Sequence, residues 1–265
     1  MTWQPIFGGA EPGRLTYTHR APKVALVNVA IGGRYPAGSA RLVASLAKFA
    51  PASCEIMPYV DRLPPGAPEQ VIEDGYDYTG YCAKPFALRA AMNSGADIGI
   101  LVDASIVAIR DISPLVEHIR STGYYLAPAG FTVEEWSSDR ALEFFGMKRE
   151  DAVALPDCAS GCVGIDFRRV RGRKLVEDWC ASWPSFAGHH SNANAACKKH
   201  SYRNVGFVST DPAVRGHRHD QTALSILAHR AGMTDWIPWP KFVAYEAGYG
   251  GHANEDTVFL IKGAA

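Results

Sequence analysis

"ILVDASIV" (residues 100–107) sets three apolar residues, one aspartate and two small residues ahead of a second apolar pair. The apolar residues before Asp103 run on without alternating, in the tract "ADIGILVDAS" (96–105), as in a strand buried on both faces. Two readings of Asp103 follow. It ends the strand and caps what comes next, or the strand delivers its carboxylate, with the Ser105 hydroxyl, to a metal-bound phosphate.

The neighbouring sequence decides the fold. "KVALVNVA" (23–30) is a short β-branched run, "IGGRYPAGS" (31–39) a glycine turn, and "ARLVASLAKFA" (40–50) has helical spacing. "CEIMPYV" (54–60) reads as a second strand. "YCAKPFALRAAMNSG" (81–95) reads as a helix with Pro85 in its first turn and Gly95 at its end. "DISPLVEHIRSTG" (111–123) reads as a helix capped by Ser113, "YYLAPAG" and "GCVGIDF" as strands, and "KLVEDWCASW" and "QTALSILAHRAG" as amphipathic helices. Strands alternating with helices predict an α/β fold with a mostly parallel central sheet flanked by helices.

The 265 residues fit one large domain, and 47% hydrophobic residues can fill its core. Formal net charge is zero, so overall charge does not favour a polyanion. No apolar run is long enough to span a membrane. The start, "MTWQPIFGGAEPGR", lacks the basic and apolar regions of a secretory signal. The six cysteines include no CxxC pair, which favours reduced thiols over a zinc or disulfide framework. The expectation is a cytoplasmic protein whose attachment to membrane, if any, is peripheral.

In open α/β sheets, ligands bind at the carboxyl ends of the strands. Val29, Ala30, Gly32 and Arg34 stand at one such end, and Asp103, Ala104 and Ser105 at another. The glycine turn is neither GxGxxG nor a Walker loop, which disfavours a dinucleotide or P-loop site. Lys84, next to Pro85, either reaches a phosphate or is solvated. In "GHRHDQ" (216–221), Asp220 opens a helix: it caps that helix between solvated histidines, or it takes a proton from an attacking hydroxyl. "FRRVRGRK" carries five cations within 168–174, a solvated face or a dock for a phosphate-bearing acceptor, nucleic acid or anionic membrane.

The stretch from "AKPFALRAAMNSG" through "ILVDASIVAIRDISPL" resembles the centre of GT-A glycosyltransferases, where a helix carrying a basic residue leads into a strand ending in a DxD motif. "DCASGCVGIDFRR" (157–169) is similar to that family's acceptor-side segment, and "GHRHDQTALSILAHRAGM" to the HDQ helix start of many such transferases. Together these pieces span about 23–235. The resemblance implies a Rossmann-like GT-A domain over 1–265, with a nucleotide-sugar half at about 23–120 and an acceptor half at about 121–265. It implies transfer of a sugar from a nucleoside diphosphate sugar to a hydroxyl acceptor: glycan, lipopolysaccharide or modified nucleic acid.

The same resemblance implies Mn²⁺ or Mg²⁺ at Asp103 and Ser105, with His252 from the glycine-rich "GYGGHAN" (248–254) as a further ligand. The DxD motif here is Asp103-Ala104-Ser105, without its second carboxylate. The donor diphosphate would meet Lys84 and Asp103. The acceptor would meet Asp157, Gly161, His219 and Asp220, with Asp220 the general base in an inverting transfer and without that role in a retaining one. Two alternatives stand beside this reading. One is a non-catalytic sugar-nucleotide-binding protein that has lost the full DxD. The other is a sugar nucleotidyltransferase, disfavoured because no lysine lies near Arg34 before Lys48.

Overall fold

The computed structural model describes residues 21–196, 204–247 and 251–263. In chain order, β1 (Val24–Ala30) leads to α1 (Tyr35–Phe49) and β2 (Cys54–Val60). A two-residue hairpin, β3 (Ile72–Glu73) and β4 (Tyr76–Asp77), precedes α2 (Thr79–Asn93) and β5 (Ile98–Val102). Next come β6 (Ile106–Ala108), α3 (Ser113–Thr122), β7 (Tyr124–Thr132), α4 (Asp139–Phe144) and α5 (Arg149–Ala152). β8 (Pro156–Asp166), α6 (Val170–Ala181), β9 (Ser191–Asn192) and β10 (Val205–Gly206) follow. The described chain closes with α7 (Asp220–Arg230), β11 (Val243–Tyr245) and β12 (Phe259–Ile261).

The central sheet has the order β2-β1-β5-β8-β7. β2, β1 and β5 run parallel, and β8 lies antiparallel to both β5 and β7. Four of the five strands therefore share one direction, which is the mostly parallel α/β sheet expected from the sequence. Its continuous apolar strands are buried on both faces: every residue of β1 and β5 is buried. One core packs α2, α6 and α7 through Leu88, Trp179 and Leu224; the other packs α1 and α3 through Leu42, Leu46 and Ile119.

The pairing of β1 with β5 ends at Val27 and Leu101. One residue on, the buried Asn28 side chain donates to the Val102 carbonyl at 2.6 Å, holding the strands where backbone pairing stops. The chain then leaves β1 towards α1, while β5 hands over to Asp103. Strands that part company at their carboxyl ends open the crevice in which ligands of such sheets sit.

The Asp103 turn is gripped from three sides. The Asp103 amide donates to the Gly161 carbonyl at 2.8 Å, and the Lys262 amide donates to the Ser105 carbonyl at 2.9 Å. β12 supplies that second contact because it pairs antiparallel with β6, just beyond the turn. On the third side α1 packs so closely that a Cβ on Gly38 would overlap the Ala104 carbonyl oxygen.

Several boundaries differ from expectation for local reasons. α2 starts two residues early, because Asp77 accepts from the Thr79 amide at 2.8 Å, so Pro85 lies inside the helix. α3 begins at Ser113, and Asp111 rather than Ser113 accepts the free amide, at 2.9 Å. Asp220 is not the cap of α7: it is the first helical residue, after His219 at φ 53°. The five described cysteines are free; Cys197, the early leader and the glycines at 248–250 lie outside the described residues. Among the described residues no helix is long and apolar enough to cross a membrane.

Gly38→Ala is expected to destabilise the chain by about 1–3 kcal/mol, the usual cost of forcing volume into a packed site. Urea denaturation at constant m value checks this, and an unchanged midpoint would mean that α1 can move off the turn at no cost.

Candidate functional site

Two cavities open along the carboxyl edge of the sheet and share a wall. The larger, about 580 Å³, runs from the Gly32–Arg34 loop past Tyr76 and Asp77 to Lys84, Asp103, Ala104 and Ser105. The smaller, about 300 Å³, is bounded by Ser160, Gly161, His190, Arg218, His219, Asp220, Gln221 and Trp239. Tyr81, Lys84, Asp103 and Ser105 line both. A larger opening than the second, about 410 Å³, lies near Pro22, Pro51 and Glu117, away from all of these residues.

Lys84 joins the two chambers. It projects from α2, is almost wholly buried, and its ammonium lies 3.0 Å from Asp103 Oδ1 and 3.2 Å from Oδ2. On its other side Asp220 Oδ2 lies at 3.4 Å. Burial alone would lower the lysine pKa, but the two carboxylates more than reverse this and raise it, so the ammonium stays charged. Asp220 is equally buried, and desolvation raises its pKa against the opposing pull of Lys84. The carboxylate faces Lys84 and the Ser160 hydroxyl instead of capping α7, and the Asp220 carbonyl is held by the Trp179 indole at 2.9 Å.

The remaining expected residues sort as follows. Val29, Gly32, Arg34, Ala104 and Ser105 line the larger cavity, whereas Ala30 is fully buried in β1 and lines neither. Gly32 and Gly33 take the left-handed conformation, at φ 68° and 54°, and the Gly32 amide donates to Asp61 at 2.9 Å. Gly161 and His219 line the smaller cavity; a Cβ on Gly161 would lie 3.3 Å from Asp103 Oδ2, so glycine there keeps space beside the carboxylate.

Asp157 does not line either cavity. It lies beneath the smaller one, fully buried, accepting from Gln221 Nε2 at 2.7 Å and from the Ser225 hydroxyl. It therefore fixes the amide of Gln221, a cavity residue that looked merely local in sequence. Desolvation pushes the Asp157 pKa up to about 7, against the pull of Ser225, Gln221 and Arg218.

The histidines are not solvated, as one sequence reading had them. His217 and His219 are buried; His217 hydrogen-bonds to the Ser185 carbonyl at 3.0 Å, and His219 Nδ1 to that of Phe186 at 2.7 Å. The His219 ring stacks on Tyr81 at 4.6 Å and meets His190 edge-on at 4.2 Å. Burial lowers the pKa of all three histidines, to about 4 for His190 and His217 and well below the ordinary value for His219. The smaller cavity is therefore walled by neutral imidazoles. His190 and Tyr81 lacked a motif to mark them; "GHHSN" and "YDYTGYC" show only clustered rings.

A divalent cation does not fit what is present. Asp103 is the one carboxylate of its motif, both its oxygens face the Lys84 ammonium, and His252 is exposed and lines neither cavity. Mg²⁺ asks for octahedral oxygen ligation, and among the described residues no group of three or more His, Cys, Asp or Glu is arranged to hold a metal. The basic run is largely committed as well. Arg168 pairs with Asp166 at 2.6 Å, Arg169 donates to the carbonyls of Arg120 and Ser121, Arg171 to that of Gly232, and Lys174 pairs with Asp178. Those contacts tie α6 to its surroundings and give no support to a nucleic-acid dock.

No protein-family model matches the chain. No curated protein matches it either. Among solved structures it is similar to apo mouse xyloside xylosyltransferase 1, with 13% identity, 89% of this chain and 96% of that chain covered, and a TM-score of 0.47. At that distance the likeness carries no inference about the donor or acceptor of this chain.

The raised Asp157 pKa has a definite sign in stability. The folded chain holds a proton that the unfolded chain releases between about pH 4 and pH 7, so this group's contribution falls as pH rises through that window, by on the order of 1.4 kcal/mol per unit. Asp157→Asn removes the titration. The stability difference between variant and parent, which cancels the histidines, should shift in the variant's favour from pH 4 to pH 7. Parallel urea curves at the two pH values check this, and a pH-independent difference would contradict it.

Proposed function

We propose that the chain is a glycosyltransferase, moving a sugar from a nucleoside diphosphate sugar to a hydroxyl acceptor. The observation that carries this reading is the pair of cavities meeting at Lys84 and Asp103, one bordered by a glycine turn with Arg34, the other by the buried carboxylate of Asp220. Two substrates that must meet at one bond need two adjoining chambers. The sequence resemblance over 23–235 supports the same assignment.

In this reading the 23–120 half holds the donor, its nucleoside against Val29, Gly32 and Arg34, and the 121–265 half holds the acceptor. The glycosyl carbon then lies at the shared wall, beside Lys84, Asp103 and Tyr81. The acceptor hydroxyl oxygen bonds to that carbon as its bond to the leaving phosphate oxygen breaks. The nucleoside diphosphate departs with the electron pair, and the hydroxyl proton passes to Asp220. A carboxylate whose pKa is raised by burial is a better base than a solvated one. Gln221, held by Asp157, and Gly161 border the path of the incoming hydroxyl. Holding both partners in line supplies most of the rate, since charge and entropy are settled before reaction.

The test is release of nucleoside diphosphate from a panel of UDP-, GDP-, ADP- and dTDP-linked sugars, with donor binding followed separately by thermal shift. Asp220→Asn is expected to retain donor binding and to lose turnover by about 10²–10⁴-fold, the range of general acid–base catalysis. Asp103→Ala is expected to lose both. Turnover of Asp220→Asn within twofold of the parent would remove the base from this scheme. A donor that raises the melting point without any turnover would instead favour the sugar-nucleotide-binding alternative, consistent with the missing second carboxylate.

A further inference from the structure

We infer that Lys84 occupies the place a divalent cation would take, so that the chain binds the diphosphate of its donor through a resident ammonium and without metal. This inference rests on the donor reading above and adds to it the identity of the positive charge at the shared wall.

The donor set points this way. A divalent cation at this turn would be held by one or two carboxylates together with the substrate phosphates, so Asp103 would have to give its oxygens to the ion. Both oxygens already face Lys84, at 3.0 and 3.2 Å, and the motif's third position offers only the Ser105 hydroxyl. A metal ion arriving at Asp103 would stand beside a fixed positive charge, which disfavours it. The lysine, by contrast, has reason to be there. An ammonium is rarely buried without carboxylates to pair with, and this one has two, from two different elements, and lines both cavities.

Lys84 also has capacity to spare for a phosphate. It carries three N–H donors. Its contact with Asp220 is 3.4 Å, well beyond the roughly 2.7–2.9 Å of a strong charged hydrogen bond. A phosphate oxygen entering from the larger cavity would take that donor and release the Asp220 carboxylate as donor binds. Arg34 and the Gly32–Gly33 backbone lie at the other end of the same cavity, where they can meet the rest of the nucleotide. The raised lysine pKa fits this role, because the two carboxylates keep the ammonium charged despite its burial.

Isothermal titration of the full chain with UDP, GDP, ADP and dTDP, each in EDTA and again in Mn²⁺, tests the inference. One nucleotide is expected to bind with affinities within about twofold in the two buffers. Lys84→Met should weaken that binding at least tenfold in EDTA, equivalent to about 1.4 kcal/mol, while Lys84→Arg, which keeps the charge, should hold most of it. Binding that needs Mn²⁺ would overturn the inference and leave the glycosyl-donor reading standing. Undiminished binding by a folded Lys84→Met in EDTA would overturn it too. If Lys84→Met fails to fold, the two-buffer comparison on the parent chain still decides. No binding of any of the four nucleotides in either buffer would overturn the donor reading and this inference together.

Discussion

A buried ammonium holds the functional edge of this molecule together. Lys84 comes from α2, Asp103 from the turn after the next strand β5, and Asp220 from the start of α7, much further along the chain. Removing one member of such a cluster leaves the others desolvated and unpaired, which commonly costs about 3–5 kcal/mol for a buried pair. The positions of the helices and of the β5 turn are therefore set jointly by one small group of charges. Where that group lies, two adjoining cavities open along the carboxyl edge of the sheet.

Close backbone contacts keep the charges in register. Gly38 lets α1 press against Ala104, Gly161 leaves space beside Asp103, and Lys262 ties the C-terminal strand to Ser105. Behind Asp220, Asp157 and Ser225 fasten Gln221, while Trp136 and Trp179 take bonds from or give them to the first turn of α7. His219 adopts φ 53°, an uncommon conformation for a residue other than glycine. Its ring is held between Tyr81, Tyr78 and His190, so ring packing keeps the corner that turns Asp220 towards Lys84.

Much of this was legible in the chain. Continuous apolar runs in "KVALVNVA" and "ADIGILVDAS", short, rich in β-branched residues and bounded by turns, read as strands buried on both faces, which calls for helices above and below and so for an α/β sheet. The reversed direction of β8 does not follow, because direction is set by which strand lies beside it and not by its own residues. Asp103 could be singled out as a lone carboxylate in an apolar tract, and Lys84 as a cation in a mostly apolar helix. Their pairing could not, since it arises from packing α2 against β5. Asp220 offered two roles with one sequence pattern, and its place as the first helical residue, facing Lys84, removes the capping one. Asp157 lies in the segment that resembles an acceptor loop; its side chain is buried outside both cavities and props Gln221. His190 and Tyr81 were invisible as site residues, because ring clusters occur in cores as readily as in cavities.

The central claim is that Lys84 and Asp103 are energetically coupled. A double-mutant cycle measures this directly: urea denaturation of the parent, Lys84→Met, Asp103→Asn and the combined variant. The account predicts a coupling energy within the 0.5–3 kcal/mol seen for residues in direct contact. Additivity to within about 0.3 kcal/mol, the behaviour of distant and independent sites, would contradict it.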